Sequence, residues 1–144
     1  MSIPVELAEL QVKTGEYTWA YLLTVRPEAT PHLVSLSTSW HHDGEASALL
    51  MSVSAGTARN ATAGSVVTLC YPPLNHDGYS LIVDGTASVH DGVAPVGIDP
   101  IPEGKALLRF APIGAVLHRS AAPGFANSAT GCANDCLPVD ASTT

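Results

Sequence analysis

Between two apolar runs of the chain stand Ser54, Ala55, Gly56, Thr57, Ala58, Arg59 and Asn60. Their order reads as a strand end, a glycine turn with hydroxyls around it, and a guanidinium and an amide one turn into a short helix. Such a turn gathers backbone N–H groups at a helix N-terminus, where the peptide dipoles favour negative charge. Thr57 is placed to cap the helix, and Arg59 is within reach of whatever sits at that terminus. An organic phosphate suits this arrangement. The same residues also make an ordinary structural unit, in which Thr57 only caps, Arg59 meets a surface carboxylate and Asn60 satisfies a backbone group.

Other reactive side chains carry weaker signals. Ser35, Ser37 and Ser39 share one face of an alternating run and either line a ligand groove or face solvent. Neighbouring residues on a strand point to opposite faces, so His41, His42 and Asp43 read as a hairpin tip and not as a metal site. His118 reads as an imidazole at a strand end. Cys70 lies within an apolar run and reads as a buried, inert thiol. Cys132 and Cys136 could bridge or supply two ligands, but no second ligand pair stands near them, and no metal is expected. No G-x-S-x-G elbow supports a hydrolase triad.

These residues need elements to hold them. A helix is expected over residues 3–12, with Pro4 at its start and Val5, Leu7 and Leu10 at helical spacing. Residues 18–26 form a strand that is apolar on both sides, and residues 32–40 alternate as a second one. Asp43-Gly44 marks a hairpin to a strand over 47–53, then come the glycine turn and a short internal helix. Residues 65–71 form a strand that Pro72-Pro73 end. A long strand over 79–90 contains Gly85, the mark of a bulge or of a close backbone approach. Residues 91–104 are a loop, and 105–119 form the last strand, with Pro112 at an edge or kink. The expected fold is mainly β: a six-stranded antiparallel barrel with a short N-terminal helix and one short internal helix. Residues 1–120 make the domain, and 121–144 a low-complexity tail, mobile or packed on a partner subunit.

Composition narrows the function. A length of 144 residues suits one domain. A net charge of −7 with six Lys and Arg excludes a phosphate-backbone binder, so no nucleic acid partner is expected. The charged fraction of 13% is low, which calls either for surface covered by a second copy or for Gly, Ser and Thr to supply an uncharged surface in a monomer. There is neither a membrane-length apolar run nor a signal-peptide pattern, so the expectation is a cytoplasmic protein off the membrane.

Taken in order, TWAYLLTV, PHLVSLSTSW, SVSAGTARNATAGSVVTLCYPP, GYSLIVDGTASV and GAVLHR resemble the pyridoxamine 5′-phosphate oxidase-like proteins over roughly residues 5–120. The resemblance implies a flavin-binding split β-barrel, a homodimer with two equivalent interface sites, and FMN or a deazaflavin as cofactor. It implies an oxidoreductase acting on a small molecule, in which the flavin carries the redox chemistry and no separate catalytic residue need be found. By position, Val34, Ser35, Ser37 and Thr38 would run along the flavin ring. Thr57, Arg59 and Asn60 would hold the phosphate, with Ser54 at the same turn. Where members of the family often carry a further Lys or Arg, this chain has Ser37 and Ala58. The alternatives are therefore a dimer without cofactor, or a haem-binding barrel with His118 or another histidine as axial ligand.

Overall fold

The alternation over residues 32–40 persists in the computed structural model, but it belongs to two strands. β3 (Pro31–Leu36) pairs antiparallel with β2 (Ala20–Val25), and the ladder ends at Leu36 opposite Ala20. β4 (Ser39–Asp43) starts opposite Leu50 of β5 (Ala46–Ser54). His32, Val34, Leu36, Thr38 and Trp40 stay half-buried across the switch, while Leu33, Ser35, Ser37 and Ser39 stay exposed. Hydrophobic period sets which face a residue takes, not which strand it pairs with.

The structure describes residues 2–44, 46–64 and 66–119. Its other elements are β1 (Ser2–Pro4), α1 (Leu10–Thr14), α2 (Ala55–Ala63), β6 (Val67–Tyr71), β7 (Ser80–Val89) and β8 (Lys105–His118). Hydrogen-bonded order is β3-β2-β6-β7-β8-β5-β4, with β1 added on β8. Consecutive strands β3 and β4 are thus the two ends of the sheet. The sheet curls until Ser37 and Thr38 link its ends covalently, with β3 approaching β5 but not bonded to it as a ladder. This is an antiparallel split barrel. It has eight strands among the described residues where six were expected, because the 32–40 run divides and the N-terminus adds one.

That added strand corrects the helix expected over residues 3–12. Ser2–Pro4 pairs with Val116–His118, and Val5 N–H donates to Ala115 O at 2.9 Å. The free edge of β8 offers backbone groups that a short extended segment can satisfy, and Pro4 is tolerated at such an edge. Helical character is confined to a 3-10 turn at Leu7–Glu9 and to α1, which buries Leu10 and Thr14. The tail over 121–144, with Cys132 and Cys136, lies outside the described residues.

Gly85 meets both readings made of it. The β7–β8 register slips between Asp84 opposite Gly114 and Gly85 opposite Pro112, leaving Ile113 as the extra residue of a bulge. A Cβ on Gly85 would lie 2.5 Å from Ala111 O and 2.5 Å from Cζ of the fully buried Phe110. No side chain fits there without moving the core. Gly85→Ala is expected to destabilise the fold by about 1 to 3 kcal/mol, the range for overpacking. Urea denaturation checks it: an unchanged midpoint would mean that the sheet yields at the bulge.

Candidate functional site at the start of α2

Ser54, not Thr57, caps α2. Its Oγ accepts from Thr57 N–H at 3.1 Å, and the two hydroxyls lie 3.0 Å apart. Ser54 has the extended backbone of a cap residue, whereas Thr57 sits three residues into the helix and is buried at 2% exposure. The correction follows from where the strand ends: β5 stays extended through Ser54, so helical geometry begins one residue later. Nine residues are too few for a helix to hold itself together, and packing of Thr57, Ala58 and Ala61 into the core supplies the difference.

The first turn of α2 carries no acidic residue. Its positive dipole end is therefore uncompensated from within the helix. Arg59 is exposed, and among the described residues its guanidinium has neither an ion pair nor a hydrogen bond. The guanidinium folds back over the turn, since a Cβ on Gly56 would stand 3.7 Å from Arg59 Nη2 and 3.9 Å from Ser54 Oγ. Gly56 leaves that space open. Asn60 is half-buried one residue further on. The surface-carboxylate reading of Arg59 thus finds no partner among the described residues.

Lys105 belongs with this group, and no local sequence pattern points to it. In the β5–β8 ladder Ser54 stands directly opposite Lys105, so both side chains leave the same face of the sheet. The lysine is exposed. The pairing joins residues fifty-one positions apart (105 − 54), and no local pattern reveals it.

The strand residues fall into separate surroundings. Ser35 and Ser37 line a cavity of about 350 Å³ with Trp19, Tyr21 and Leu36. Val34 turns inward and packs on the core. Thr38 turns inward as well and meets Tyr71 OH at 2.8 Å, beside a second cavity of about 270 Å³ that also touches Trp19. No hydrogen bond joins the Ser35 group to the α2 group among the described residues.

The remaining candidates make local contacts. His118 Nδ1 lies 3.1 Å from Ser2 Oγ at the β1–β8 edge. His42 Nδ1 lies 2.7 Å from Ser47 Oγ, and His41 packs edge-on against His90. No cluster of three metal-ligating side chains exists among the described residues. Cys70 is half-buried on the outer face of β6, not fully buried as expected, and burial pushes its thiol up. Burial likewise raises Tyr71, opposed by the hydrogen bond with Thr38, and it raises Tyr17 with help from Glu16 and Cys70. These hydroxyls and the thiol stay protonated at neutral pH.

No family model matches the chain. It is 35% identical over 139 residues to the uncharacterised protein Mb0449c of Mycobacterium bovis, covering 92% of this chain and 93% of that protein. MT0457 of Mycobacterium tuberculosis matches equally, with the same identity and coverage. Among solved structures, a Clostridium acetobutylicum protein related to general stress protein 26 of B. subtilis (pyridoxinephosphate oxidase family) superposes with a TM-score of 0.58. It is 16% identical over 78% of this chain and 87% of that one. HutZ, the haem storage protein of Vibrio cholerae, superposes with a TM-score of 0.55, at 15% identity over 77% of this chain and 93% of its own. Among the described residues no helix is long and apolar enough to cross a membrane. The chain belongs to the family of these mycobacterial proteins and has the split-barrel fold of the pyridoxamine 5′-phosphate oxidase-like proteins.

Proposed function

We propose that this protein is a homodimeric, cytoplasmic flavoprotein, an oxidoreductase that moves two electrons to or from a small molecule with FMN, or alternatively a deazaflavin, as its cofactor. The observation that carries the reading is the Arg59 guanidinium, without a partner among the described residues, folded over the acid-free N-terminus of α2. In a chain of net charge −7 that is a local site for a phosphate.

The residues present fit the group. Arg59 and Lys105 would balance the charge of a phosphate dianion, and the N–H groups after Ser54 would fix its oxygens. Asn60 would add an amide donor. Ser35 and Ser37 would offer hydroxyls along the ring, and Val34 and Thr38, whose side chains turn inward, only their backbone. The flavin, when bound, supplies hydride transfer. The chain's own part is to hold the phosphate, orient the ring and keep water from it.

The dimer has a surface to use. Leu23, Val25 and Leu33 stand exposed on the outer face of β2 and β3, with Val25 and Leu33 each 55% exposed. The neighbouring rings of Trp19 and Tyr21 meet edge-on at 4.6 Å. The sequence led to an expectation that this strand is covered on both sides, and a second copy would cover it. A double Leu23→Lys, Leu33→Lys variant is expected to sediment as a folded monomer. Wild-type protein that already sediments as a monomer would remove the dimer from the account.

Reconstitution tests the cofactor. Protein loaded with FMN and desalted should retain near-stoichiometric flavin absorbance. Arg59→Ala should weaken FMN at least tenfold, as expected for loss of a charge-assisted contact of about 1.5 to 3 kcal/mol. Lys105→Ala should weaken it by about twofold to fivefold, in line with an exposed ion pair. A colourless protein with no heat stabilisation by FMN or a deazaflavin would instead favour a dimer without cofactor.

A further inference from the structure

The end of the barrel opposite α2 holds the cavity of about 270 Å³, and its walls are rings. Tyr17, Trp19, Trp40 and Tyr71 line it, with Thr14 and Thr38 between them. Both tryptophans of the chain are among the four.

Each ring is held in place by its own contact. Trp40 Nε1–H donates to Thr14 Oγ1 at 2.7 Å, and Thr14 donates on to Gln11 O at 3.1 Å. Tyr71 OH shares a hydrogen bond with Thr38 at 2.8 Å, and Tyr17 OH donates to Tyr79 O at 2.9 Å. Trp19 stacks edge-on with Tyr21, and the rings of Tyr17 and Tyr71 tilt together at 5.7 Å. Loosely packed side chains would be free to collapse into such a space, whereas walls tied in this way keep it open in advance of a ligand.

The chemistry of the walls selects the occupant. None of the lining residues is charged, so a charged ligand would be desolvated without a counter-ion. Aromatic faces favour another ring, in stacked or edge-on contact. Sites for drug-sized ligands start at about 300 Å³, which makes this one a place for a smaller molecule. Its polar atoms are largely committed to one another. Water held there gains few hydrogen bonds and is readily displaced by an apolar face.

We propose that the barrel end closed by α1 is a binding site for a small neutral aromatic molecule, a single ring bearing one polar group, distinct from the anion site at α2. The inference stands on this cavity alone and does not rest on the flavin reading.

The two tryptophans make it directly observable, because ¹⁵N-labelled protein gives two indole N–H signals, both from the pocket wall. Titration with phenol should shift both signals saturably, with a midpoint in the millimolar range. Thr18→Phe fills the cavity from an exposed position at its rim and should abolish the shifts. Should that variant not fold, Gln11→Phe on the exposed side of α1 makes the same test. Arg59→Ala should leave the midpoint within twofold. The proposal is overturned if phenol moves neither indole signal up to its solubility. Tighter binding of benzylammonium or benzoate, shifts that survive the filled pocket, or loss of phenol binding in Arg59→Ala would overturn it too.

Discussion

The rest of the molecule depends on how the chain crosses from Leu36 to Ser39. Two residues carry it from one end of an eight-stranded sheet to the other, so the end strands β3 and β4 are tied by covalent bonds where a closed barrel would have a ladder. Closure by a link leaves a seam. It also fixes the ends: α1 leads into the start of β2, while α2 joins the end of β5 to the start of β6, and the two helices stand at opposite mouths. Inward-facing Thr38 and Trp40 are anchored by Tyr71 and Thr14. The link is thereby held by side chains that also shape the pocket next to it.

At the other mouth the controlling interaction is electrostatic. The chain is acidic overall, yet α2 starts with a bare dipole, Arg59 lies over its first turn and Lys105 stands across the ladder from its cap. Cations without carboxylate partners among the described residues of an acidic protein concentrate positive potential in one place. The contrast with the uncharged aromatic mouth divides the barrel into an end suited to an anion and an end suited to a neutral ring.

How far this was legible in the sequence follows from what each signal encodes. Alternation correctly assigned the faces of residues 32–40, because burial has a period of two whichever strand is the neighbour. It was silent on the change of neighbour at Ser37-Thr38. Gly85 announced both a bulge and a close approach, since few other causes put a glycine in the middle of a long strand. Ser54 and Thr57 were both recognised at the turn, but their roles as cap and buried third residue depend on where β5 stops. Lys105 and the four-ring pocket were invisible, because they arise from pairings between segments distant in sequence. Ile3 and Pro4 were read as helix for the same reason: their partner is the edge of β8, and the local pattern is too brief to oppose Pro4 and the acidic residues that follow.

Whether the α2 turn holds a flavin phosphate is decided by a crystal structure of the protein with FMN. The phosphate is expected within hydrogen-bond distance of Arg59 and of the backbone N–H groups that follow Ser54, with the ring extending toward Ser35 and Ser37. FMN with its phosphate bound anywhere else, or a turn left without phosphate in crystals that do contain the flavin, would contradict it.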